Sequence, residues 1–271
     1  MKRNTVFVLS VLALSVAAAT SARAAVGITD PSTAITQNFD SLATSGTSNV
    51  WSNDITLPGW SLFTAAGSPV TSYRADNGTS NTGAFYSFGA TGSPDRALGG
   101  VGSGGTYFGS PAAGSIAGYI AFAVTNAAGV AFTGFELAFD GEQWRNGGHT
   151  SAQPMVFEYG FGAAFGAVAS WTSAGAGFDW SSPVFSSTAA IVDGNAAGRV
   201  AGLGGGVAVS WQPGETLWLR WTERNDLGND HGLAIDNFSL SVTPVPEPGS
   251  AALVLGGLGL LAASARRRSR R

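Results

Sequence analysis

Two polar stretches hold most of the side chains that could do chemistry. One is Asp140-Gly141-Glu142-Gln143-Trp144-Arg145-Asn146; the other joins Glu223-Arg224-Asn225-Asp226 to Asn229-Asp230-His231. Glu142 paired with Glu223 or Asp226 would supply the acid and base of a glycoside hydrolase or lyase, provided the two carboxyls stood about 5–9.5 Å apart across a sugar. The same acids, ion-paired to Arg145, Arg220 or Arg224, would instead brace loops and react with nothing. His231 follows Asp230 directly, but no Gly-x-Ser-x-Gly elbow accompanies them, so this stretch reads as a charged loop.

Aromatic side chains offer a second chemistry, stacking on the apolar faces of sugar rings while Asp, Asn and Arg bind hydroxyls. The chain has eight tryptophans. Trp211, Trp218 and Trp221 fall inside strand patterns and read as core. Trp144 and Trp180, in polar or glycine-rich surroundings, are expected to be the exposed pair. With Glu142, Arg145, Glu223 and Asp226 they form the candidate ligand-binding set.

The elements that must position these groups show period-two alternation and no helical period. Residues 116–124 form one expected strand. Phe135, Leu137 and Phe139 mark the next, and Met155, Phe157, Tyr159 and Phe161 a third. Val207, Val209 and Trp211 mark a fourth, Leu217, Leu219 and Trp221 a fifth, and Phe238, Leu240 and Val242 the last. Turn clusters such as Asn146-Gly147-Gly148, Asp193-Gly194-Asn195 and Leu227-Gly228-Asn229 separate them. Both polar stretches are expected to be loops at strand ends, and residues 77–114, rich in Gly and Ser, long loops over one end. Many strands with glycine-rich turns predict an all-β protein, an antiparallel β-sandwich of jelly-roll type.

Composition narrows the partners. Residues 25–243 keep six basic and sixteen acidic side chains, with no lysine and no cysteine in that span. A body near −10 repels a phosphate backbone, so nucleic acid is not expected as a partner. Without cysteine there is no thiol nucleophile and no Cys-ligated zinc or cluster. The two histidines, His149 and His231, are too few for most multi-histidine metal sites.

The ends of the chain carry addresses. Lys2 and Arg3, an apolar run over 6–19 and Ser21-Ala22-Arg23-Ala24 read as a signal helix cleaved after Ala24 by signal peptidase. That run would span about 21 Å as a helix, short of the roughly 30 Å of a bilayer core. At the other end Val245-Pro246-Glu247-Pro248-Gly249-Ser250 leads into an apolar, glycine-rich segment, 251–263, and five arginines close the chain. This is a proline spacer, a short hydrophobic helix that would insert transiently in the inner membrane, and a cluster that stays cytoplasmic. The expected domains are therefore 1–24, 25–243 and 244–271.

The tail resembles the PEP-CTERM sorting signal of Gram-negative bacteria, with Pro246, Glu247 and Pro248 as the motif. The resemblance implies removal of the tail by an exosortase and delivery to the cell envelope, the outer surface or an exopolysaccharide matrix. Nearly the whole body resembles a module found in many PEP-CTERM proteins, which implies a surface role and no particular activity. Asn38-Phe39-Asp40-Ser41-Leu42 and Ala234-Ile235-Asp236-Asn237-Phe238-Ser239-Leu240 resemble the first and last strands of carbohydrate-binding-type jelly rolls. That resemblance implies a structural calcium shared by Asp40 and Asp236; without it, each Asp would serve a turn or a backbone N–H. The strand motif Glu-x-Asp-x-x-Glu of laminarinase-like hydrolases is absent. The expected function is thus an exported, exosortase-processed, non-catalytic surface protein, with a carbohydrate-binding module and a glycoside hydrolase or lyase as alternatives.

Overall fold

The computed structural model describes residues 26–245. The expected signal segment 1–24, the motif at Pro246, Glu247 and Pro248 and the expected apolar helix after it lie outside them. The described chain is all-β apart from two short 3-10 turns, Thr106–Phe108 and Phe165–Ala167.

The six alternating patterns each form strands. In the smaller sheet, Ser115–Asn126 pairs with Thr216–Asn225, which pairs with Phe157–Phe161; Trp60–Thr64 adds to the outer side of Ser115–Asn126. In the larger sheet Phe132–Asn146 lies between Arg199–Trp211 and Gly232–Pro244. Beyond Gly232–Pro244 come Ala97–Val101, Ala84–Phe88 and Ser72–Asp76, with Ile35–Gln37 alongside its C-terminal half.

The two sheets face each other across one apolar core, giving a sandwich-like body. Alternation sends Phe135, Leu137, Phe139, Ile235 and Leu240 inward from the larger sheet to meet Ile120, Phe122, Phe157, Leu219 and Trp221 from the smaller. Ring contacts cross the gap: Phe139 meets Trp221 edge-on at 5.3 Å, and Trp60 meets Phe238 at 5.0 Å. Each fully buried aromatic of this size contributes roughly 1.5–3 kcal/mol over its exposed form.

Three expectations are corrected. The sheets are mixed, not wholly antiparallel: Gly27–Ile28 runs parallel to Ser115–Asn126, and Ser72–Asp76 parallel to Ala84–Phe88. The second pair needs a crossover, and residues 77–83 make it over the outer face, where Arg145 Nη1 donates to the carbonyls of Gly78 (3.1 Å) and Thr79 (2.9 Å). Residues 77–114 are not all loop, because Ala84–Phe88 and Ala97–Val101 are buried throughout. Gly99 and Gly100 signal close packing there: a Cβ on Gly99 would collide with the Leu233 carbonyl of the next strand. Finally, neither polar stretch is a loop at its start. Phe132–Asn146 carries Glu142, Trp144 and Arg145 inside a strand, and Thr216–Asn225 carries Glu223.

Candidate functional site

Strand alternation decides which of the candidate residues meet. Asp140, Glu142 and Trp144 share the outer face of the larger sheet, whereas Phe139 and Gly141 face the core. Asp236 is the register partner of Asp140 and shares its face. Glu223 follows Leu217, Leu219 and Trp221 on the inner face of the smaller sheet. Its carboxyl abuts Gly100, where an added Cβ would stand 2.8 Å from Cδ. The larger sheet therefore separates Glu142 from Glu223. Asp226 follows Glu223 just past the end of its strand, with Arg224 Nε 3.6 Å from its Oδ1.

The outer-face acids are sealed. Trp144 is 2 % exposed and Trp180 5 %, so the expected exposed pair is corrected to buried. Trp144 lies against Phe88, 6.5 Å between parallel rings, under the turn that holds Gly194, where a Cβ would overlap its indole. Trp180 packs over Gly141 in the main core. Trp144 Nε1 donates to Glu142 Oε2 (2.8 Å), while Glu142 Oε1 has no partner. Burial pushes the Glu142 carboxyl up to about 7, and the charges of Asp95 and Asp140 add to the rise. Burial likewise lifts Asp236 to about 8, helped by Glu142, Asp95 and Asp40; its Oδ1 is also without a partner. Asp140 differs. Burial would raise it, but the N–H of Gly202 (2.9 Å), Arg199 (2.7 Å) and Asn237 Nδ2 (2.9 Å) together hold it below its usual value.

The charge of Asp40 helps to raise Asp236, but the two sit differently. Asp40 is exposed and accepts from Asn38 Nδ2 (2.6 Å) and from the N–H of Arg96 (3.0 Å). Among the described residues no group of three acidic or imidazole side chains is placed to hold a metal ion. Calcium also takes backbone carbonyls and water, and the two carboxyls by themselves assign no ligand set.

Three residues on from Glu142, the same end of its strand opens to solvent. Arg145 and Gly147 from the first polar stretch meet Gly228, Asn229 and Asp230 from the second in a cavity of about 270 Å³, completed by Asn81, Ser103 and Ala189. Burial raises Asp230 to about 7, against the N–H of Asp226 that bonds its Oδ1 (2.6 Å). Asp226, also raised by burial, is opposed by Arg224, whose Nε lies 3.6 Å from its Oδ1. Glu223, beneath, is raised well above its ordinary range by burial and then by Asp230 and Asp226. His231 is buried, which lowers its pKa, and its Nδ1 meets Gln143 Nε2 at 2.9 Å. The charged-loop expectation is corrected for His231, which is buried with its ring against Gln143, while Asp230 remains in the loop.

Sequence reasoning missed a second cleft, of about 440 Å³, on the outer face of the smaller sheet. Phe63, Phe165 and Trp218 line it with Asp54, Ile55 and Ser61. Trp218 facing opposite to Leu217 and Leu219 was the available signal, but Phe165 comes from a connection with no period. Arg220 on the same face is held between Tyr119 and Trp171, 4.3 and 3.9 Å from their ring centres, and pairs with Glu158 rather than Glu142 or Glu223.

Comparison with known proteins bears on the tail. Residues 244–269 match the PEP-CTERM protein-sorting motif. The chain carries a PEP-CTERM sorting signal. It is therefore an exported protein addressed to the envelope and processed by exosortase. No curated protein matches the PEP-CTERM chain. Among solved structures it is similar to the N-terminal CBM22-1-CBM22-2 tandem domain of Paenibacillus barcinonensis Xyn10C, at 10 % identity and a TM-score of 0.36 over 77 % of this chain. It is also similar to the arabinose-bound MgGH51 α-L-arabinofuranosidase, at 11 % identity and a TM-score of 0.32 over 76 % of this chain. The chain spans 50 % of the first and 26 % of the second. Likenesses this small carry no information on ligand or reaction.

Proposed function

We propose that the body is a non-catalytic sandwich protein of a Gram-negative envelope or its exopolysaccharide matrix, and that it binds a neutral polysaccharide in the cavity between Arg145 and Asp230. One observation carries this reading. Glu142 and Glu223 are buried on opposite sides of a sheet, whereas the polar cavity that opens to solvent is lined by hydrogen-bonding groups, Asp230 being its one carboxyl. Amides, a hydroxyl, a guanidinium and a carboxyl suit a polyol. A body near −10 disfavours a polyanionic polymer. Jelly-roll connectivity is part of the same reading, supported by the antiparallel pairing of Ile35–Gln37 with the last strand.

A glycan array probed with the processed chain tests the proposal. Binding to neutral polysaccharides is expected, with at least a tenfold loss in Asn229→Ala and in Arg145→Ala. Asn229 is exposed, so its loss leaves the fold intact. Release of reducing ends from any bound polymer, abolished by Glu142→Gln, would replace this reading with a hydrolase.

A further inference from the structure

The last strand connects two ends of the molecule with opposite character. Its first residue, Gly232, pairs with Arg145 and Val101 beside the polar cavity, and its last, Pro244, pairs with Phe132. Thirteen residues at about 3.3 Å each put some 40 Å between those ends. At the Pro244 end Val245 still donates its N–H to Ala131 (3.0 Å), so the fold holds the chain up to the motif. Six residues, 245–250, then separate that bond from the apolar run at 251–263, a reach of at most about 20 Å.

The surface at this end fits such closeness to lipid. Residues 127–131, Ala-Ala-Gly-Val-Ala, and 212–214, Gln-Pro-Gly, carry no charge. Next to them Phe132, Val209 and Val245, with the uncharged Thr133, Ser210 and Gln212, line a shallow groove of about 400 Å³. Arg145, Arg224, Asp226 and Asp230 are gathered at the far end, while Glu215, whose carboxyl accepts the Gln212 N–H (2.7 Å), and Asp30 are the acids near this one. A membrane-seeking segment tethered this tightly leaves the body little freedom to turn over.

We infer that, while the tail is attached, the turns 127–131 and 212–214 face the lipid surface and the Arg145–Asp230 cavity is held about 40 Å farther out. The precursor is thus presented upright, with its cavity open before the tail is removed. This inference rests on the tail alone and not on the ligand of the cavity.

The absence of cysteine permits single-site labelling. Gln212→Cys and Leu227→Cys, both at exposed positions, would be labelled with a fluorophore in the tail-bearing chain and added to phosphatidylcholine–phosphatidylglycerol vesicles holding a headgroup nitroxide. The 212 label is expected to lose at least half its emission and the 227 label almost none, with both unquenched in a chain ending at Val245. Equal quenching, stronger quenching at 227, or no vesicle binding by the tail-bearing chain would overturn the inference. None of these readouts involves a glycan.

Discussion

Asp140 and Asp236 stand opposite each other on adjacent antiparallel strands, and the sheet treats their carboxyls in opposite ways. Three donors hold Asp140 as an anion, while burial keeps Asp236 protonated to about pH 8. The difference has a direct consequence for stability. A carboxyl whose folded pKa is raised stabilises fully below its unfolded pKa, and that contribution is lost as pH rises through the folded value.

Between about pH 4 and pH 8, therefore, thermal stability is expected to fall as Asp236, Glu142 and Asp230 ionise. Melting curves at steps across that range check this. Asp236→Asn is expected to flatten the slope; an unchanged slope would show that these acids ionise without cost. Asp140 acts in the opposite window, its contribution disappearing only as pH drops through its lowered value.

Arg199→Ala removes one of the three donors to Asp140. The arginine side chain is 44 % exposed, so solvent screening limits the loss to about 1 kcal/mol. Urea denaturation at low and high salt should show the difference shrinking with ionic strength. A loss of several kcal/mol independent of salt would mean that Arg199 has a packing role the ion pair does not describe.

Trp144 should act as a core residue and not as a sugar platform. Trp144→Ala is expected to cost about 3–5 kcal/mol. Gly194→Ala, which drives a methyl into the indole, should cost roughly 1–3 kcal/mol. Combining Gly194→Ala with Trp144→Phe should cost less than the two separately, because the smaller ring frees the space. Strict additivity in denaturant midpoints would refute the contact.

Phe165→Ala and Ile55→Asn probe the aromatic cleft on the smaller sheet. Ile55 is 77 % exposed, so its replacement should leave stability unchanged. Glycan-array signals of both variants are expected to match the parent. A loss confined to them, with Asn229→Ala unaffected, would move the binding site to the opposite sheet.

The sheet strands were legible because alternation survives wherever one face is buried, as at Phe135–Leu137–Phe139 or Leu217–Leu219–Trp221. It failed where glycine replaced side chains. Gly99 and Gly100 imitate a loop yet sit in a buried strand, because glycine marks both free turns and close backbone approach. Polar residues at the strand ends misled in the same way: Glu142 and Glu223 read as loop acids although each continues a strand into the interior. The residues singled out both polar stretches, but their meeting at Arg145 and Asp230 appears only in the structure. Their depth relative to Glu142 and Trp144 depends on the 77–83 crossover and the Gly194 turn, neither of which has a periodic signature.

The strand that leads into the sorting tail is also an inner strand, flanked by Phe132–Asn146 on one side and, over 232–235 and 238–240, by Ala97–Val101 and Ile35–Gln37 on the other. A pull on the tail acts along this strand and loads its ladder with Phe132–Asn146 in shear, backed from Leu240 inward by the ladders on the other side, so the bonds must break together instead of one at a time. Handled from its C-terminus by any machine that drags or cuts, the body should stay folded and give up only its appendage.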